Sequence, residues 1–343
     1  MKILITGGAG FIGVNCAAYF SRRGDQVILF DNLSRRGAEQ NASWLAEKYP
    51  CRLVRGDIRN VDELAQLFRQ EGPFDLILHL AAQVAVTTSV ANPREDFEIN
   101  AWGTFNLLEA VRLLNPRAVF IYASTNKVYG NMGDLRIGEA AGRYAYLDQP
   151  GGIEETRPLD FHSPYGCSKG AADQYCRDYH RIYGLRTVVI RQSCIYGYHQ
   201  FGIEDQGWVA WFCIAALLDR PITIYGDGKQ VRDVLFVDDL VSLYDKAYQN
   251  IELTSGRIYN VGGGPEHTLS LHDLLGQLEI LKGGKIPVRY DDWRPGDQRV
   301  YVSNIQRAKA ELGWTPQIPA MKGVARLYDW VGKNRDLFHG TGL

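Results

Sequence analysis

Apolar and polar positions follow two periods along the first half of the chain. Ile3-Leu4-Ile5 is a short apolar run, and residues 11–23 then place Phe11, Ile12, Ala17, Ala18 and Phe20 at helical spacing. The alternation recurs. A strand at Val27-Ile28-Leu29-Phe30 precedes a helix near 38–48, a strand over 52–55 precedes a helix over 61–70, and Leu76-Ile77-Leu78 precedes a long helix near 95–114 and a strand over 118–122. Short β-rich runs separated by helical stretches predict a parallel sheet with right-handed crossovers. Residues 130–160, rich in Gly, Pro and charge, read as a long surface excursion. A helix over 164–183 and a strand over 186–190 resume the pattern. Beyond about 192, strands at 222–225, 257–260 and 287–290 mix with helices at 208–219, 239–250, 270–281, 304–312 and 320–333.

Composition narrows the function classes. The 343 residues carry 38 Lys+Arg against 39 Asp+Glu, a formal net charge of −1, which argues against a basic nucleic-acid binder or a polybasic membrane-surface protein. Six cysteines, at 16, 51, 167, 176, 194 and 213, form no CxxC pair, and the histidines lack HExxH spacing, so no metal site is expected. No apolar run approaches the roughly 18 residues of a membrane span. The N-terminal residues read as a strand rather than a signal peptide, since glycines interrupt them between 7 and 13. A cytoplasmic location is the expectation. Glycine, at 36 residues, is in excess, so some turns need positive φ or close backbone approach.

Part of that excess is Gly7-Gly8-Ala9-Gly10-Phe11-Ile12-Gly13, which follows the first strand and opens the first helix. Such a triplet alone is only a tight strand-to-helix turn. Its context makes it a dinucleotide fingerprint: a turn, a close approach to pyrophosphate and a helix packed on its strand. Asp31 ends the second strand, where a carboxylate takes ribose hydroxyls and repels a 2′-phosphate, favouring NAD; Arg35 and Arg36 nearby keep NADP open. Candidate cofactor residues are Gly7, Gly10, Phe11, Ile12, Gly13, Asp31, Asn32, Ser34, Arg35, Asp57, Ile58, Leu80, Ala81, Ala82, Gln83 and Asn100, with Tyr165 and Lys169. The expected fold class is α/β: a Rossmann-type doubly wound parallel sheet with a smaller C-terminal α/β substrate lobe. The NAD-binding part is placed at 1–190, with 230–255 returning to it, and the nucleotide-sugar lobe mainly at 191–343.

Tyr165 and Lys169 stand at i and i+4 of an expected helix, so an ammonium shares a face with a phenol and can lower its pKa. Ser124 and Thr125 end the strand at 118–123. A hydroxyl, a lowered-pKa tyrosine and a lysine beside a nicotinamide suit alcohol–ketone interconversion.

These residues resemble the extended short-chain dehydrogenase/reductase superfamily over essentially the whole chain. The resemblance implies Tyr165 as general acid/base, Lys169 on the nicotinamide ribose, and Thr125 rather than Ser124 on the reacting oxygen. In members that eliminate water an Asp-Glu pair follows that hydroxyl, whereas this chain has Asn126 and Lys127, which supply no carboxyl group. A narrower similarity is to the CDP-paratose 2-epimerase (CDP-tyvelose epimerase) family. It rests on Ser124-Thr125-Asn126-Lys127-Val128-Tyr129-Gly130, on residues 160–175 from Asp160 to Tyr175, on Asp205-Gln206-Gly207-Trp208, and on Gly228-Lys229-Gln230-Val231-Arg232-Asp233. It implies inversion at carbon 2 of a CDP-linked hexose through a 2-keto intermediate, with NAD tightly bound and regenerated each turnover. The implied partners are a CDP-linked deoxyhexose or hexose and further copies of the chain, as a homodimer or homotetramer.

Thr125, Asn126, Gln230, Arg232, Arg294 and Asp297 are the candidate substrate residues, the arginines because guanidinium suits diphosphate. Tyr144, Tyr146 and Trp208 read as loop or core packing, with lining of the sugar or base pocket as the alternative. Cys194 stands where many UDP-sugar relatives carry an asparagine, so their diphosphate contacts do not carry over whole. A 4-epimerase of a UDP- or other nucleotide-linked hexose is the alternative activity. A non-catalytic NAD-sensing protein is the alternative class.

Overall fold

The computed structural model describes residues 1–294 and 297–338. In chain order β1 (Lys2–Thr6), α1 (Phe11–Arg22), β2 (Gln26–Asp31), α2 (Ala38–Lys48), β3 (Arg52–Arg55), α3 (Val61–Glu71) and β4 (Leu76–His79) alternate strictly. Then come α4 (Val86–Ala91), α5 (Pro93–Phe97), a π-helical turn at Glu98–Trp102, α6 (Gly103–Leu114) and β5 (Val119–Thr125). The hairpin strands β6 (Ile137–Ala140) and β7 (Arg143–Tyr146) precede α7 (Ser163–Tyr183), β8 (Arg186–Gln192) and β9 (Cys194–Tyr196). The remainder is α8 (Trp208–Leu217), β10 (Ile222–Tyr225), β11 (Val231–Phe236), α9 (Val237–Gln249), α10 (Ile251–Thr254), β12 (Ile258–Val261) and β13 (Thr268–Ser270). It closes with α11 (Leu271–Lys282), β14 (Val288–Asp291), β15 (Val300–Tyr301), α12 (Gln306–Leu312) and α13 (Ala320–Lys333).

Seven strands form one sheet in the order β12-β8-β5-β4-β1-β2-β3, the doubly wound arrangement expected from the sequence. The pairs β4–β5, β1–β4, β1–β2 and β2–β3 are all parallel. The strands from Ile3 to Ile5 and from Leu76 to Leu78 have no exposed surface, which is why they read as continuous apolar runs rather than alternating ones. The order reverses between β1 and β4, and a crevice at the carboxyl edge of such a switch is where doubly wound sheets bind ligands.

Two compact units are present. The first comprises Met1–Val128, Phe161–Arg191 and Val241–Tyr259; the second comprises Tyr129–Asp160, Gln192–Leu240 and Asn260–Leu343. The second unit carries small sheets: β10 with β14, and β13-β11-β15 with β9 also on β11. The stretch expected as an irregular excursion contains the antiparallel pair β6–β7. Its short, mostly exposed strands lack the apolar alternation that would have marked them. The long helix expected near 95–114 is instead α5, the π-turn and α6 in succession.

Local chemistry sets the element ends. Asn60 caps α3 by accepting from the backbone N–H groups of Asp62 and Glu63, and Ser270 with Asp273 forms a capping box on α11. Pro164 opens α7 and Gly184, left-handed at φ +69°, ends it.

A buried ion pair fixes α7 in the first unit. Arg191 on β8 donates from Nε and Nη2 to the two oxygens of Asp173 at 2.9 Å each, and Ser124 on β5 donates to the same carboxylate at 2.7 Å. Asp173 is fully buried and Arg191 is 2% exposed. Removing one partner of such a pair leaves an uncompensated charge without water. Arg191→Leu is therefore expected to lose about 3–5 kcal/mol of stability, measurable by urea unfolding.

Candidate functional site

The glycine turn is built for contact with backbone. Gly7 adopts φ +67°, and a Cβ there would lie 2.7 Å from the Ala81 nitrogen at the end of β4. A Cβ on Gly13 would fall on the Gly7 carbonyl and the Gly8 backbone, so the start of α1 sits directly on the turn. Gly10 differs: its Cβ would meet only the Gly7 oxygen, at 3.1 Å, and otherwise open space. Gly10 caps α1 with no side-chain hydrogen bond, and the first turn carries no acidic residue. Free N–H groups and the positive end of the helix dipole therefore face that space, as a diphosphate requires.

Asp31 anchors this turn. Its Oδ2 accepts from the Ala9 N–H at 3.0 Å and its Oδ1 from the Leu33 N–H at 2.8 Å. Burial raises its pKa, opposed by these two N–H groups. Asn41 ties the turn from α2 through a bond to the Ala9 carbonyl at 3.1 Å. Phe11, Ile12, Asn32, Leu80, Ala81 and Ala82 are half-buried along the same edge, and Ser34 and Arg35 are exposed. A turn with room only for backbone, an uncapped helix start and a carboxylate at the end of β2 fit a dinucleotide.

Several expected cofactor residues turn elsewhere. Ile58 is 5% exposed, and its side chain packs where Gly103 has no Cβ. The Asp57 carboxylate is engaged by Asn32 and Arg59. The Gln83 amide donates to Asp96 and to the Ala85 carbonyl at 2.8 Å each, and its oxygen accepts from the Ala85 N–H. Asn100 accepts from the Gln83 N–H and donates toward the Gln83 carbonyl, Asp96 and Ser168. Ser168 on α7 donates to Asp96 at 2.5 Å. Both amides are thus committed to a buried network that seats α7. Their polarity made them look like ligand contacts; only the tertiary fold shows the partners.

Tyr165 and Lys169 lie on α7 and Thr125 ends β5, all buried. Because Ser124 points to Asp173, its neighbour on the strand points the other way. Thr125 Oγ1 lies 3.4 Å from Asn126 Oδ1 and adjoins the Tyr165 phenol, whose pKa it lowers. Burial pushes the phenol up to about 12; the Thr125 hydroxyl lowers it, Asp96 raises it and the Arg35 charge lowers it. The expectation that Lys169 lowers this pKa is corrected here. Lys169 Nζ donates to the Ala123 carbonyl at 2.6 Å and lies 4.3 Å from the centroid of the Tyr122 ring. Its own pKa is pushed down to about 8, chiefly by burial. The i, i+4 spacing placed the two on one face but could not show that a carbonyl on β5 takes the ammonium. Asn126 is buried beside Thr125 and supplies no acid.

His79, which sequence reasoning passed over, lies at the end of β4 between Thr6, 2.7 Å from Nδ1, and Thr104, 2.8 Å from Nε2. Burial and the Lys169 charge hold its pKa down to about 3.

In the second unit the substrate candidates form two groups. Arg232 Nη2 pairs with Asp297 at 2.7 Å. The Arg294 guanidinium lies 3.9 Å from the Tyr225 ring centroid and pairs with Asp205 at 3.0 Å. Gln230 donates from Nε2 to the Tyr225 carbonyl at 2.7 Å, while its buried Oε1 has no protein partner. Tyr225, missed by motif reading, is what joins Arg294 to Gln230. Pro295 and Gly296, between Arg294 and Asp297, lie outside the described residues. Among the described residues, no helix is long and apolar enough to cross a membrane.

The profile of the NAD dependent epimerase/dehydratase family matches residues 3–262, and the chain belongs to that family. It is 48% identical over 341 residues to CDP-paratose 2-epimerase from Salmonella typhi, covering 96% of this chain and 99% of the relative. The UDP-glucose 4-epimerase of Thermus thermophilus, solved with NAD, superposes with a TM-score of 0.82 at 30% identity, covering 99% of this chain and all of that one. A dTDP-glucose 4,6-dehydratase from Bacillus anthracis, solved with NAD, gives a TM-score of 0.81 at 29% identity, with 98% of each chain covered.

The His79 environment sets a pH dependence. The fold favours the neutral imidazole, so its stabilisation is fully present above about pH 6.5 and declines as pH falls toward about 3. The melting temperature is expected to drop between pH 7 and 5. A His79→Gln variant, measured by calorimetry across the same range, should show a shallower drop.

Proposed function

We propose that this protein inverts carbon 2 of a CDP-linked hexose, with CDP-paratose and CDP-tyvelose as the reference pair. The observation that carries the reading is the buried Thr125–Tyr165 pair at the end of β5, followed by Asn126 and Lys127 in place of carboxyl groups. A reaction that only removes and restores hydrogen at one carbon needs one proton-transfer group and no separate acid for eliminating water. The 48% identity to an enzyme named for this reaction supports carbon 2 and CDP over the 4-epimerase alternative.

In this reading Gly7 and Gly13 let the turn close on its own backbone, Gly10 leaves the open space for the NAD diphosphate, the start of α1 faces its charge, and Asp31 takes the adenosine ribose. NAD held there would supply a reversible hydride acceptor and a positive charge. Thr125 orients the sugar hydroxyl toward Tyr165 Oη. Tyr165 takes the hydroxyl proton as the 2-keto sugar forms and gives it back after the sugar has turned over. A phenol held near 12 by burial needs added positive charge to ionise at neutral pH. Arg35 supplies part of it, and Lys169 is the residue that would hold the nicotinamide ribose. NAD ends each cycle in its starting state and so stays bound. Arg232, Arg294, Asp297 and Gln230 take the nucleotide, and the first unit carries the cofactor.

We assign self-association to the first unit. Trp102, Leu113, Tyr175, Ile182 and Tyr183 are 46–65% exposed on the π-turn, α6 and α7, and burying them favours a homodimer or homotetramer.

Incubation of the purified protein with CDP-paratose, followed by NMR, should show inversion at carbon 2 and no loss of water; inversion at carbon 4 sinks the proposal. Tyr165→Phe should lower kcat by about 10²–10⁴-fold while leaving copurified NAD in place. Substantial turnover by that variant removes Tyr165 from the chemistry.

A further inference from the structure

We propose that Tyr144, on β7, is a positioning residue for the nucleotide subsite: it locks the turn at 225–230 to Trp293 and Arg299. The inference rests on the reading above, in which Gln230, Arg232, Arg294 and Asp297 take the nucleotide.

The turn cannot hold its shape alone. Gly226 and Gly228 adopt φ +84° and +78°, conformations that most residues avoid and that an unanchored glycine leaves readily. Tyr144 Oη donates to Asp227 Oδ2 at 2.6 Å, and the Tyr144 backbone N–H donates to the Lys229 carbonyl at 3.1 Å. The same carboxylate accepts from the Lys229 N–H at 3.1 Å, so the phenol and the turn share one acceptor group. On the far side His272 Nε2 lies 2.8 Å from the Asp227 carbonyl.

Tyr144 also reaches the second segment. The Arg299 guanidinium lies 5.3 Å from the Tyr144 ring centroid and 5.9 Å from that of Trp293, so one cation bridges two aromatic faces. Trp293 in turn packs on the turn, where a Cβ on Gly226 would meet its ring at 2.6 Å. The contacts form a closed circuit: Tyr144 to Asp227, Gly226 to Trp293, and Trp293 through Arg299 back to Tyr144. The residues that would meet the nucleotide hang from this circuit. Tyr225 and Gln230 begin and end the turn, and Arg294, stacked on Tyr225, follows Trp293.

The hairpin is seated mainly by such polar anchors. A pocket of about 410 Å³ opens among Tyr144, Tyr146, Val231 and Val300. The hairpin's other ties include Lys229 to Glu139 at 2.8 Å, Arg143 to Thr268 at 2.8 Å and to Asp273 at 3.1 Å, and Tyr146 Oη to the Val300 carbonyl at 2.8 Å. Removing the Tyr144 hydroxyl therefore leaves the turn to the Lys229 backbone bond and ion pair, the His272 contact and the Trp293 ring, with its Asp227 anchor to the hairpin lost.

Tyr144→Phe keeps the ring for Arg299 and removes only the donor. Calorimetric titration of the NAD-loaded protein with CDP should show about tenfold weaker binding, the effect of losing a hydrogen bond to a charged group. KM for CDP-paratose should rise in parallel and kcat should stay within about twofold. Arg299→Gln should weaken CDP in the same direction, and it carries the test if the first variant does not fold. Arg294→Ala serves as the reference. If it weakens CDP binding while Tyr144→Phe and Arg299→Gln do not, the positioning role is overturned and the nucleotide assignment stands. If none of the three affects CDP binding, both fail. A fall in kcat with CDP affinity unchanged also overturns the inference.

Discussion

A carboxylate with no access to water organises the catalytic part of this molecule. Asp173 on α7 is held by Arg191 on β8 and Ser124 on β5, and none of the three can move without leaving a buried charge or donor unpaired. The helix is thereby pinned against two neighbouring strands. Strand geometry does the rest: with Ser124 turned to the carboxylate, Thr125 is turned to Tyr165. Which of two adjacent hydroxyls faces the carboxylate is fixed by a charge behind the strand.

The same helix is fixed again at its start. Asp96, Asn100, Gln83 and Ser168 exchange hydrogen bonds in a buried network, and His79 lies between Thr6 and Thr104 at the end of β4. Such networks are costly when half made and rigid when complete. Here they leave Tyr165 on a helix with little freedom. Lys169 bonded to the Ala123 carbonyl shows how a polar interior redistributes a charge that spacing alone would hand to the nearest phenol.

The second unit reaches order by a different route. Of its candidate nucleotide residues, Gln230 ends a glycine-bearing turn and Arg232 lies at the start of β11. Aromatic and charged contacts hold these pieces: Tyr225 under Arg294, and Arg299 between Tyr144 and Trp293. Loops held by a few directional contacts can be retuned by single changes, whereas the sheet edge of the first unit cannot.

Sequence alone determined the doubly wound sheet, because strands buried on both faces must be short apolar runs and crossover helices must repeat between them. It determined the glycine turn as well, since no other residue permits backbone to approach so closely at Gly7 and Gly13. Tyr165, Lys169 and Thr125 were legible because their spacing is local to one helix and one strand end. The partners of Gln83, Asn100 and Lys169, the part played by His79, and the joining of Tyr144 to Asp227 and Arg299 were not. Each is a contact between side chains far apart in the chain, and only tertiary structure decides which buried polar groups face one another.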